Sequence, residues 1–328
     1  MFAGKPVCLE LIGSCLPQFF LPALNHLRIT TEPPVGNALH IRVWDCIETG
    51  ISAENFPLSG NPDDFETSEI SAEDESLVSE RKGKYLGQYD RKTRQLTACV
   101  SYADKRPLLH EIGKPLQVLL SVWYLDQNVP LLHAGAVSRN GHGVLMGGVG
   151  GSGKTTSSLA STLGGFKFLG DDRLGLQSID GKYIAHSVFN SVYLDASGRR
   201  RFASLQSEML PPTYSREFKN LLFVHQACPD QIATRTLLKA VLLPKVCDEK
   251  QSSYERLSAS NALLELAPSS LVMHIGPGHK GMQVMGHLVR QLPCYRFFIG
   301  TDLAGVPASM HQLLDELERA SDDSLKRN

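Results

Sequence analysis

The sequence predicts an α/β protein in two parts, a small sheet-rich unit over residues 1–104 and a larger α/β core over 105–328. Three observations carry this. Short period-two runs fill the first hundred residues, as in Leu39-His40-Ile41-Arg42-Val43-Trp44 and Leu96-Thr97-Ala98-Cys99-Val100. A glycine-rich turn later in the chain lies between a strand-like run and a helix-like run. A length of 328 residues is long for a single core.

In the first part, the segment from Asp63 to Glu80 is rich in Asp, Glu and Ser and holds no basic residue, and a basic run from Arg81 to Arg94 follows it. Charge blocks of this kind read as solvated loops. From Pro107 to Asp126 the period changes. Leu108, Leu109, Ile112, Leu116, Leu119, Leu120 and Trp123 recur at three- and four-residue steps, which predicts one amphipathic helix. The boundary between the two parts is therefore expected near residue 104. Leu131 to Val137 reads as a buried strand, Asn140-Gly141 as a hairpin turn and Gly143 to Met146 as the returning strand.

Composition excludes several classes. With 42% hydrophobic and 20% charged residues and a mean hydropathy of −0.13, the chain can build a core and keep a wetted surface. Its 33 basic and 34 acidic side chains nearly cancel, which argues against nucleic acid as a partner, since counterion release needs a basic face. The uncharged run 11–27 is cut by Pro17, Pro22 and Asn25, too broken for a spanning helix. It also lacks the basic start of a secretory leader. A cytoplasmic protein without a membrane partner is expected. The seven cysteines are odd in number and form no CxxC pair, so free thiols are expected rather than a disulfide framework or a zinc site.

The glycine-rich turn carries the chemistry. Gly148-Val149-Gly150-Gly151-Ser152-Gly153-Lys154-Thr155 satisfies GxxxxGK[ST], a pattern that average residue usage places in such a chain on the order of 1% of the time. Val144-Leu145-Met146 leads in as a strand, and Thr155 to Leu163 leads out as a helix, the arrangement the motif requires. Anionic phosphate oxygens need several backbone N–H groups converging at the positive end of a helix. Glycines 148, 150, 151 and 153 permit the tight turn, and Ser152 and Thr156 complete the cradle. Lys154 supplies a point charge for the β- and γ-phosphates, and Thr155 a hydroxyl for Mg²⁺.

Seventeen residues after Lys154, the run Phe166-Lys167-Phe168-Leu169-Gly170 ends in Asp171-Asp172. The gap fits one helix, a Gly164-Gly165 stop and one strand, so the acids are expected beside the phosphate loop. Adjacent carboxylates can divide metal holding and proton transfer, provided that the strand ends or bulges there, since a regular strand points neighbours to opposite faces. A plain Asp-initiated turn is the competing reading. His133, inside the apolar run Leu131–Val137, is a third candidate, although a lone histidine there also fits a core position. For further positive charge the sequence offers Arg199-Arg200-Arg201, Arg235 and Lys245, each read first as surface charge because nothing in the sequence fixes its position. Gly276 to Gly281 reads as a surface turn, and Pro307 with Leu313, Leu314 and Leu317 as a C-terminal amphipathic helix.

Leu132-His133-Ala134-Gly135-Ala136-Val137, the phosphate loop and Gly170-Asp171-Asp172 together resemble the C-terminal domain of HPr kinase/phosphorylase, over about residues 131–178. A weaker likeness to HPr-kinase-like bacterial serine kinases runs through 185–190 and 293–303. Some of those kinases phosphorylate a serine of a lasso-peptide precursor. The resemblance implies a P-loop kinase core related to phosphoenolpyruvate carboxykinase, with ATP and Mg²⁺ as cofactors and a serine hydroxyl of a peptide or small protein as acceptor. It also implies Asp171 as general base, Asp172 as the metal-side carboxylate with Thr155, and His133 as a positioning or proton-handling residue beside Lys154. The family's Glu-x-Arg-Gly-x-Gly signature has no counterpart in Tyr183 to Gly198, so the resemblance does not carry HPr as substrate, nor the reverse phosphorylase activity, over to this chain. A sugar or metabolite kinase and an ATP-sensing binding module are the alternatives. A homo-oligomer is compatible with the sequence.

Overall fold

The computed structural model describes residues 1–29, 38–51, 69–74, 77–82, 85–103, 107–212, 218–271 and 279–325. The fold is mixed α/β, with three sheets among the described residues. In the first sheet the strands lie in the order Val7–Ile12, Leu39–Asp45, Gln95–Val100, Tyr85–Asp90, Leu77–Lys82, Glu69–Asp74. The first three are mutually parallel and the rest antiparallel. Parallel neighbours need a crossover, and the helix Leu16–Leu24 lies between the first two strands, with Pro17 in its first turn where no N–H is missed. Along Leu39–Asp45, Leu39, Ile41 and Val43 turn inward and His40 and Arg42 outward, the alternation of a one-faced sheet.

The acidic loop expected over 63–80 is corrected for 69–80. Glu69–Asp74 and Leu77–Lys82 are paired strands, because the antiparallel register to Tyr85–Asp90 carries the ladder outward whatever the side-chain charge. Residues 63–68 lie outside the described residues, as does the expected boundary at 104–106. The single helix expected over 107–126 is two, Leu109–Gly113 and Gln117–Asp126. Pro115 has no N–H to give and disfavours helical backbone at Lys114, and Leu116 then takes φ 57°.

The second sheet, of nine strands among the described residues, leads into the glycine-rich turn at 148–153. Its path runs Lys167–Gly170, Gly135–Arg139, His142–Met146, Arg235–Val246, Lys182–Ser187, Leu174–Ile179, Leu131–Leu132. Cys294–Ile299 runs parallel to the far half of Arg235–Val246, and Ser253–Leu257 pairs beyond it. The hairpin at Asn140-Gly141 forms as expected, with φ 52° and 81° at its two central residues.

The continuous strand expected over 131–137 is broken at His133-Ala134. Leu132 pairs with Leu174 at one end of the path, while Gly135 pairs with Met146 near the other. Three residues span at most about 11 Å, so the sheet curls until its ends face each other. Residues 171–173 cross the same gap, from Gly170, paired with Ala136, to Leu174. Two short links therefore lie side by side, one carrying His133 and the other the acid pair.

A third sheet, Ser191–Leu194, Asn220–Phe223 and Met209–Leu210, is small. The helix Lys154–Leu163 and the C-terminal helix Gly305–Leu325 pack together over one core that includes Val144, Leu159, Phe166, Met310 and Leu313. Residues 276–278 of the expected turn lie outside the described residues. Residues 279–281 belong to the helix His279–Gln291 instead of a loop. No helix among the described residues is long and apolar enough to cross a membrane. The cysteines are free thiols.

A histidine lock ties the N-terminal helix to the second sheet. Asn190 Oδ1 accepts from the His225 N–H at 3.3 Å, which orients its amide nitrogen toward Pro22 O, Ala23 O and His26 Nδ1. His26 Nδ1 is then an acceptor, so its proton sits on Nε2 and is donated to Ser187 Oγ at 2.7 Å. Burial, followed by the charges of His225 and the chain's N-terminal ammonium, pushes His26 from 6.5 down to about 3. The unfolded chain therefore binds this proton more readily than the folded one. The stabilisation is whole above pH 6.5 and is lost as pH falls from 6.5 toward 3. Between pH 6.5 and 4 the wild type is expected to lose roughly 3 kcal/mol more than His26→Gln. Denaturant midpoints of the two proteins across that range check this, and parallel pH profiles would contradict it.

Candidate functional site

The glycine-rich loop continues from His142–Met146, and Gly147 N–H donates to Leu242 O at 2.9 Å, which ties the loop's entry to the neighbouring parallel strand. Gly148, Gly151 and Gly153 have φ of 121°, 81° and 108°, where a side chain is strained. A Cβ at Gly153 would in addition collide with Ile299 Cδ1. The helix Lys154–Leu163 begins directly after it, aiming its first N–H groups into the turn. Lys154 is buried and donates to Gly148 O at 2.7 Å and Val149 O at 3.0 Å, so its ammonium sits inside the curve of the loop. Burial lowers its pKa against the opposing charges of Asp171 and Asp172. Ser152 Oγ is buried with no hydrogen-bond partner among the described residues.

Strand Lys167–Gly170 bulges against Gly135–Arg139 between Phe168 and Gly170, then ends, and this frees the two acids from strand alternation. Asp171 is 6% exposed and accepts from Thr155 Oγ1 at 2.5 Å through Oδ2. Its Oδ1 is buried without a partner. Burial, with the Asp172 charge beside it, raises the Asp171 carboxyl above the usual carboxylate range, although Thr155, Lys154 and Lys114 pull it down. Gly135 faces this oxygen. A Cβ there would stand 3.2 Å from Asp171 Oδ1 and 2.9 Å from Ser158 Oγ, so any larger residue fills the space beside the free oxygen.

Asp172 has φ 74°, an uncommon conformation for a residue other than glycine. Its Oδ1 lies 2.5 Å from His133 Nε2, and its Oδ2 pairs with Lys114 Nζ. Burial alone would raise this carboxyl, but the Lys114 ammonium and then His133 outweigh it and hold it well below the usual range. His133 Nδ1 is buried without a partner among the described residues.

His133, Lys154, Thr155, Asp171 and Asp172 are thus brought into one neighbourhood. Thr156 accepts from Arg201 at 3.4 Å, which sets one member of the arginine run beside the loop. Arg235 and Lys245 are exposed near opposite ends of one strand. Lys245 adjoins Val246, whose Cγ2 would be 3.4 Å from a Cβ at Gly153, whereas Arg235 pairs with His186. Lys114 escaped the sequence reading. The signal was the Lys-Pro step inside an otherwise periodic run, which ends a helix and re-aims the lysine.

The residues fit a magnesium–nucleotide pair. Two buried polar atoms, Ser152 Oγ and Asp171 Oδ1, lack partners at the cradle, and the Thr155 hydroxyl adjoins a carboxylate. Among the described residues no group of three or more His, Cys, Asp or Glu could hold a metal unaided. Magnesium in phosphoryl-transfer sites takes one or two protein oxygens, with phosphates and water supplying the rest.

No protein-family model matches the chain, and no curated protein matches it either. Among solved structures, the HPr(Ser) kinase/phosphatase from Coxiella burnetii aligns at 12% identity over 60% of this chain and 98% of its own. The TM-score of 0.29 is too low to establish a common arrangement of the chain.

Proposed function

We propose that the protein is an ATP-dependent kinase that transfers the γ-phosphoryl group to a serine or similar hydroxyl of a peptide or small protein, a lasso-type precursor peptide being one acceptor of that class. A single observation carries this: a buried lysine inside a glycine-rich loop, with a Thr155–Asp171 hydrogen bond joining the loop to an acid pair.

The triphosphate lies along residues 148–156, held by backbone N–H groups and by Lys154. Thr155 and Asp172 would hold Mg²⁺, which when bound neutralises charge on the phosphate oxygens. The acceptor oxygen forms a bond to the γ-phosphorus as the bond to the β–γ bridging oxygen breaks, and ADP leaves with the electron pair. The hydroxyl proton passes to Asp171, whose Oδ1 is uncommitted. His133, set against Asp172 by a 2.5 Å contact, keeps that carboxylate oriented. Lys154 stabilises charge that grows on the transferring group, so its removal acts on the transition state more than on binding.

Lys154→Ala is therefore expected to lower ADP formation about 10²-fold in single-turnover assays with a serine peptide library as acceptor. An unchanged rate would contradict the assignment. Transfer to sugars or metabolites alone would move the acceptor class while leaving the site intact. Tight ATP binding without turnover on any acceptor would make the protein a sensor.

A further inference from the structure

We propose that Lys114 is a positioning residue that fixes Asp172 for phosphoryl transfer, an inference that rests on the kinase reading above. The ammonium lies between a carboxylate and an aromatic ring. It pairs with Asp172 Oδ2, lies 4.8 Å from the centroid of the Tyr193 ring, and its side chain is only 10% exposed. The backbone that carries it is clamped as well. Ser191 Oγ donates to Gly113 O at 2.5 Å, and Tyr193 OH donates to Leu109 O at 3.1 Å. A Cβ at Gly113 would run into Tyr193 OH, so glycine there lets the ring sit against the turn. Leu109, Ile112 and Leu116, on either side of the lysine, are buried in the first core.

A lysine held this tightly is costly unless it has a task, because a mobile surface lysine keeps its rotamer freedom. The task is visible at Asp172. Its left-handed backbone is strained for a residue with a side chain, and it stays in place only where its surroundings over-determine it. Lys114 from one side and His133 from the other fix both carboxylate oxygens. Because Asp171 precedes it directly, the same restraint sets the direction from which Asp171 meets the loop.

The test is a double-mutant cycle over Lys114→Met, Asp172→Asn and the pair, read by ATP turnover, ATP affinity and denaturant midpoint. Lys114→Met is expected to lower kcat roughly 10²-fold, with ATP affinity within about threefold of wild type. The double variant is expected to turn over no more slowly than Asp172→Asn alone, and to unfold at a higher midpoint than Lys114→Met, which leaves the half-buried Asp172 carboxylate without its ammonium partner. Losses that multiply independently would overturn the proposal. A raised KM at constant kcat would do so too, since Lys114 would then be a nucleotide-binding cation. Lys114→Gln replaces the Met variant should that chain not fold. If the wild type does not turn over ATP, the kinase reading fails, while the midpoint cycle still reports whether the pair is coupled.

Discussion

Asp171→Asn is expected to lower phosphoryl transfer by roughly 10² to 10⁴-fold, the range for losing a positioned proton acceptor. Asparagine keeps the size of the side chain and an oxygen to accept from Thr155, so the 2.5 Å link to the loop survives the change. It cannot take a proton. ATP affinity should stay within a few fold, because the proposed binding groups are Lys154 and the loop backbone. Stability should hold or rise, since burial works against the charged form of Asp171 and the substitution removes that charge. Rates of ADP formation beside a denaturation curve separate these effects. A variant that transfers at the wild-type rate would show that the acceptor proton leaves by another route.

Removing residues 1–104 is expected to abolish cooperative folding. The two parts share one core: Leu16, Phe20, Leu39, Ile41 and Leu96 pack in a single cluster with Leu109, Leu116, Leu120, Trp123 and Tyr124. Stripping the first group re-exposes the second. Each large apolar side chain returned to water costs about 1.5–3 kcal/mol, so five cost roughly 10 kcal/mol. That is comparable to the whole net stability of a domain. Phe2 alone packs against both Trp123 and Tyr124, with ring centroids 6.1 Å away in each case. Thermal unfolding of a chain beginning at residue 105 is the check. A sharp transition with native near-ultraviolet dichroism would show that the N-terminal sheet is a detachable module and that the shared core is dispensable.

The shared core joins residues far apart in the sequence, which no local pattern reveals. The glycine-rich turn between strand and helix was legible because its signal is local: glycines, lysine and threonine fall within eight consecutive residues. The hairpin at Asn140-Gly141 and the helix after Lys154 were legible for the same reason. His133 and the acid pair could be named, but their meeting depends on the curl that brings the two ends of the second sheet together, and no period in the sequence encodes that closure. Lys114 was hidden by the same pattern that predicted a helix around it. The apolar period on both sides of Pro115 is real, and the two helices share a core, yet the break between them is what turns the lysine toward Asp172. The acidic strands at 69–82 were missed because pairing depends on backbone register, which side-chain charge does not reveal.

The proposed function requires the turn at 148–155 to hold a triphosphate beside Asp171 and Asp172. A crystal structure with a non-hydrolysable ATP analogue and Mg²⁺ tests it most directly. Phosphate density within the loop, with Lys154 Nζ drawn from Gly148 O and Val149 O onto a phosphate oxygen, is the result this account predicts. An analogue bound elsewhere, with Lys154 still donating to those two carbonyls, would contradict it.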